Sequence, residues 1–230
     1  MKRIVASMII GTLLTVLLSN CSKNNNSSLD GTSANTVSTS ENMSGDVNQV
    51  VAQAAADNQI SGKTAALCAT ITISPNDTVS FPKTVTLDFG NGCTGPDGVT
   101  RKGIMTCVYT GRFHTAGTTV TVTFQNYSVN GNALEGTFVI SNTSSAGAMN
   151  LSTQVTGGRV TKSDGTSFTW AGTRSLTQTA GNSTPTVLTD DEYTYSGTTT
   201  GVNFKSKNFT TTSQDVVLRT GCKYLVSGTT

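Results

Sequence analysis

The chain has one histidine, one tryptophan and only 12% charged residues among its 230. A lone histidine cannot build a histidine-rich zinc site, and five dispersed cysteines do not make up the deficit. That histidine, His114, is the only imidazole open to a Ser-His-Asp triad. No Gly-x-Ser-x-Gly elbow exists to expose a nucleophile, and no Gly-x-x-x-x-Gly-Lys-Ser/Thr loop exists to cradle a phosphate. No catalytic residue, resident cofactor or metal ion is therefore expected. The formal net charge of +2 falls to zero once Lys2 and Arg3 leave with a cleaved leader. A neutral, charge-poor body lacks the basic face that nucleic acid requires, so nucleic acid is not expected as a partner. Past the N-terminus, no apolar run reaches the roughly 20 residues that cross a bilayer.

The N-terminus carries the clearest signal. Lys2 and Arg3 precede an apolar run from Ile4 to Leu18, broken only by Ser7, Gly11 and Thr15. A run this short suits an export signal better than a spanning helix. It ends in Leu18-Ser19-Asn20-Cys21, which resembles the lipobox of bacterial lipoproteins, although Asn20 departs from the usual small residue. In that motif the cysteine sulfur takes a diacylglyceryl group as a thioether, and cleavage makes Cys21 the new N-terminus. The alternative is an ordinary signal peptide with a chance cysteine. Residues 1–20 are expected to be a signal peptide and Cys21 a lipid anchor to a bacterial membrane, the outer membrane first. Residues 21–43 are rich in Ser, Asn and Thr and nearly free of apolar side chains, so they are expected to be a flexible tether.

Residues 44–230 should form the folded body. In Ser44–Asp57, Val47, Val50, Val51 and Ala54 recur at i, i+3, i+4, i+7, with Ser44 as N-cap; this predicts one short packing helix. From Ala66 the period becomes two. Leu67, Ala69, Ile71 and Ile73 alternate with polar neighbours, as do Val85, Leu87 and Phe89, and Val120, Val122 and Phe124. Asn130-Gly131 is a strong hairpin signal, and Asp164-Gly165 repeats it. With 43 threonines and short turns throughout, the pattern predicts about eleven strands. The expected fold is all-β, a mainly antiparallel sandwich or strongly curled sheet, because so many strands rarely lie in one flat sheet.

An oxidising compartment favours cysteine pairing. Cys68–Cys93 is the first choice, closing a modest loop for about 3 kcal/mol. Cys107 then either pairs with Cys222 or stays a buried free thiol. The stretch Asp88–Gly103 packs five glycines and a proline between two strands. Asp88, Asn91 and Asp97 offer oxygens that suit calcium, but two carboxylates are few and the spacing is not that of an EF-hand. The alternative is a disulfide-pinned turn with Asp97 and Arg101 as a local pair.

The run Phe81-Pro-Lys-Thr-Val-Thr-Leu-Asp-Phe-Gly-Asn-Gly-Cys-Thr-Gly-Pro-Asp-Gly-Val-Thr-Arg-Lys-Gly103 resembles a stretch in uncharacterised lipoproteins of the Bacteroidota. Tyr109-Thr-Gly-Arg112, Phe124–Gly131, Leu134-Glu-Gly136 and Cys222–Gly228 fit the same group, over most of residues 66–228. The group carries no established activity. Its members continue past the last motif with another cysteine-bearing strand pair, which implies that this chain stops short. The resemblance also implies O-glycosylation at Thr78, since Asp77-Thr78-Val79 matches the Asp-Ser/Thr-aliphatic pattern of that phylum.

Two further groupings bear on function. Trp170, Tyr193 and Tyr195, with Phe204, are candidates for an aromatic platform that binds a sugar face; the alternative is core packing. Asp190-Asp191-Glu192, Glu135 and Asp88 are the dispersed acids that a glycosidase would draw on. The expectation is a non-catalytic structural, adhesion or ligand-binding module, contacting the membrane through its lipid and meeting a glycan or protein ligand. A carbohydrate-active hydrolase using dispersed carboxylates is the alternative.

Overall fold

The computed structural model describes residues 31–57, 67–145, 149–181, 183–184, 190–219 and 227–229. One helix, α1 (Gly31–Asp57), precedes eleven strands: β1 (Thr70–Ser74), β2 (Lys83–Asp88), β3 (Cys93–Thr94), β4 (Thr100–Tyr109), β5 (Thr119–Val129), β6 (Asn132–Asn142), β7 (Asn150–Thr161), β8 (Ser167–Ala180), β9 (Glu192–Val202), β10 (Asn208–Arg219) and β11 (Ser227–Thr229). The strands form one antiparallel sheet in chain order, with the short β3 pairing only β4. Among the described residues the sheet is a meander that does not close into a barrel, with β1 and β11 at the two ends of the strand order.

Local chemistry explains the elements. Inward positions such as Val85 and Leu87, Met105 and Cys107, and Val120 and Val122 are fully buried, while their neighbours on each strand are not. At the β5–β6 turn Asn130 and Gly131 both take positive φ, as a two-residue hairpin needs. Register shifts interrupt the ladders from β4–β5 through β9–β10. Such bulges increase twist and bend the strands, which lets one long sheet curl. At the first of them Gly103 has φ +83, and a Cβ there would stand 2.2 Å from the Asn126 carbonyl oxygen. In the C-terminal half β8 runs as one strand of 14 residues, and β10 is one strand broken by a bulge.

The helix begins thirteen residues earlier than expected, so residues 31–43 are not tether. Val37 and Met43 are buried, as are Ser33, Thr36, Ser40, Glu41 and Ser44. Small polar side chains continue the same buried stripe that Val47, Val50, Val51 and Ala54 complete. Their hydroxyls bond back to the helix: Thr36 Oγ1 to the Thr32 carbonyl at 2.9 Å, Ser40 Oγ to that of Val37 at 2.8 Å, and Ser44 Oγ to that of Ser40 at 2.9 Å. Ser44 is thus mid-helix rather than an N-cap. α1 is not apolar enough to cross a membrane despite its 27 residues.

The curled sheet holds this helix along its length. Asn203, after β9, donates to Ser33 Oγ at 3.0 Å. Arg174 on β8 binds Glu41 through Nε at 2.7 Å and Nη2 at 2.6 Å, and Ser44 Oγ at 3.0 Å. Thr153 on β7 meets Asn48 at 3.1 Å, and Tyr109 on β4 donates to the Val51 carbonyl at 2.9 Å. Among residues 31–55 only Gly31 and Asn35 are exposed. The helix is the second half of the core, packed in one cluster with the inner face of the sheet.

Candidate functional site

The half-buried outer stripe of α1 forms the floor of a cleft of about 520 Å³, a size that suits a small ligand. Thr39, Asn42, Asp46, Gln49 and Ala52 supply that stripe. One wall is the β3–β4 turn and β5–β6 turn, with Asp97, Val99 and Asn130. The other is formed by the ends of β7 to β10, with Leu151, Leu176, Asp191, Tyr193 and Arg219.

At the first wall Arg101, 1% exposed, clamps helix to loop. It binds both carboxylate oxygens of Asp46, and Asp97 at 2.8 Å through Nη2. Tyr127 Oη donates to Asp46 at 3.3 Å. Burial raises the Asp46 carboxyl above its ordinary range against the pull of Arg101. Burial pushes Asp97 the same way, but its bonds from Arg101 and the Val99 amide prevail and hold it below. The Asp97–Arg101 pair read from the loop is therefore present, and Asp46 completes it.

The second wall centres on Asp191, which is 6% exposed. Its carboxylate accepts from Gln178 Nε2 at 2.7 Å and Tyr193 Oη at 3.2 Å. Burial raises its carboxyl above the ordinary range. Arg219 lies on the same wall, bound by Glu192. His114, exposed in the β4–β5 turn, feels the charge of Asp191, yet partial desolvation holds its imidazole below the ordinary range.

The sequence-derived sites fare unevenly. Trp170 and Tyr195 are 2% and 4% exposed, so they do not form a surface platform. They point inward from β8 and β9, where Trp170 packs on Phe138 and Phe168 and its ring covers Gly158. Only Tyr193 reaches the cleft. Phe204 packs edge-to-face with Phe168 and lies beneath the Lys162 ammonium, 3.8 Å from its ring centre. The calcium set is not assembled: Asp97 is held by a guanidinium, and Asp88 caps the Gly90 amide at 2.8 Å. Among the described residues no three His, Cys, Asp or Glu side chains converge on a metal position. Of the acids, Glu135 is exposed on β6, and Asp190 binds Thr184.

Cys68 and Cys93 form the expected disulfide, with Cα atoms 5.9 Å apart. Cys107 is a free thiol with no exposure, so it does not pair with Cys222. Thr78 is exposed in a turn that Asp77 fixes by accepting from the Val79 amide at 2.8 Å and the Ser80 amide at 2.6 Å. Cys21, Cys222 and the leader lie outside the described residues. The clamp at Arg101 and the Arg174–Glu41 pair join residues more than 50 positions apart, which no local pattern signals. No family model matches the chain, and no match was found among curated proteins or solved structures.

Proposed function

We propose that this protein is an exported lipoprotein, anchored through Cys21 to a bacterial outer membrane, whose β-domain binds a ligand non-catalytically in the cleft above α1. The cleft carries this reading. It has an apolar lining from Met43, Val99, Leu151 and Leu176 and a few fixed polar groups, the usual makeup of a small-molecule site. The Cys68–Cys93 disulfide accords with an oxidising compartment. The lipobox-like Leu18–Cys21 supplies the anchor, and the exposed turn at Asp77-Thr78 suits a sugar on Thr78.

Asn42→Trp would fill the cleft, since Asn42 lies on its floor. A glycan or small molecule retained by the wild-type protein, in array and thermal-shift screens, should be lost in N42W. Equal retention by a folded N42W would place the ligand elsewhere and defeat the reading. Cys21→Ser should move the protein from the membrane to the soluble fraction, whereas unchanged fractionation rules out the anchor.

One observation favours the hydrolase alternative. Asp46 and Asp97 share the cleft with their carboxyls pushed in opposite directions, the pattern of a general acid and base. Both carboxylates grip one guanidinium, however, which is the arrangement of a structural clamp. Sugar release by the wild type that vanishes in D97N would establish the hydrolase.

A further inference from the structure

Three carboxylates line the cleft, and they differ in what faces them. Asp46 and Asp97 are both bound to Arg101. Glu41, the other deeply buried carboxylate, is bound to Arg174. Asp191 is 6% exposed, and among the described residues its hydrogen-bond donors are a neutral amide and a neutral phenol. Arg219, the basic side chain on that wall among the described residues, is bound by Glu192. Among the described residues His114 is the basic group whose charge acts on Asp191, and partial desolvation favours its neutral form. Among the described residues around the cleft, then, Asp46, Asp97, Asp191 and Glu192 outnumber Arg101 and Arg219 by two charges, and no described lysine lines it.

A buried carboxylate without a cation is costly, and an incoming cation relieves that cost. Beside Asp191 the lining turns apolar, with Leu151, Leu176 and the adaptable side chain of Met43. We infer that the cleft takes a ligand with a cationic amine on an apolar body, its ammonium seated against Asp191 and its body against Met43, Leu151 and Leu176. This rests on the reading of the cleft as a binding site and names the ligand class. A divalent ion is a poor fit, because one carboxylate, one amide and one phenol offer too few hard oxygens. An anionic amphiphile is disfavoured by the excess negative charge.

The test uses octylamine, octanol and octanoate as probes, titrated calorimetrically into the purified protein at neutral pH. Octylamine should bind at least tenfold more tightly than octanol, and octanoate should bind weakest. In D191N, shown to be folded by circular dichroism, octylamine should lose its advantage over octanol. If octylamine and octanol bind alike to the wild type, the amine assignment is overturned while the cleft remains a site. Binding of none of the three also overturns it, and the cleft reading then stands or falls on the Asn42→Trp result.

Discussion

Glu41→Ala should be among the most damaging single substitutions outside the sheet. The Glu41 and Arg174 side chains are 1% and 3% exposed, and two of their contacts are 2.7 and 2.6 Å. Removing the carboxylate strands a guanidinium against Ser44 and Thr199, at 3.0 and 3.1 Å, neither of which can neutralise it. Breaking a buried pair from one side costs about 3–5 kcal/mol. For a domain of this size that lowers the melting temperature by roughly 6–20 °C. The double variant Glu41→Leu with Arg174→Met exchanges the pair for apolar side chains of similar length and should recover most of the loss. Urea denaturation followed by circular dichroism reads all three proteins. A loss in E41A below about 1 kcal/mol, the range of an exposed pair, would refute the burial of this contact and the seating of α1.

Other outcomes follow from single sites. Gly158→Ala places a Cβ 2.7 Å from the Trp170 ring, so it should destabilise by at least about 1–3 kcal/mol and shift tryptophan fluorescence. Burial pushes the Cys107 thiol up to about 12, so iodoacetamide should leave it unmodified at pH 8 until denaturant opens the core; rapid labelling of the native protein would contradict its burial. Cys93→Ser removes a link closing 25 residues and should cost about 3–4 kcal/mol on chain entropy, read by the midpoint shift against the oxidised wild type. Asp97 is held below its ordinary 3.8, so its stabilising effect is present above that pH and fades as pH falls through the lowered folded value. The stability gap between wild type and D97N should therefore be widest at neutral pH and close in acid; a gap independent of pH would contradict the ion pair.

The sheet was legible because its information is local. Alternating apolar residues at Val85 and Leu87 or Val120 and Val122 set the inner face, and Asn130-Gly131 set a turn. The glycine-rich loop also declared its Asp97–Arg101 pair through proximity in the chain. The helix was only half legible. Its second half is marked by valines, but its first half is buried through Ser33, Thr36, Ser40 and Ser44, which resemble a disordered tether when judged by polarity. The periodic signal was there: Ser33, Val37, Ser40 and Ser44 extend the stripe of Val47 and Val51. The polar residues that fill it obscured it, and their partners, Arg174 and Asn203, lie more than a hundred residues away. The cleft was illegible for the same reason, because its floor is that helix. Trp170 and Tyr195 misled because an aromatic cluster reads alike in sequence whether it faces inward or out.

The most direct measurement is native-state hydrogen exchange across residues 31–57, the helix that both completes the core and floors the cleft. Amides from Ser33 to Ala55 should exchange as slowly as those of β5 to β8, since both belong to one buried cluster. Exchange of 31–43 at the rate of an unstructured chain would mean that this segment is tether after all, with no cleft of this shape for a ligand to enter.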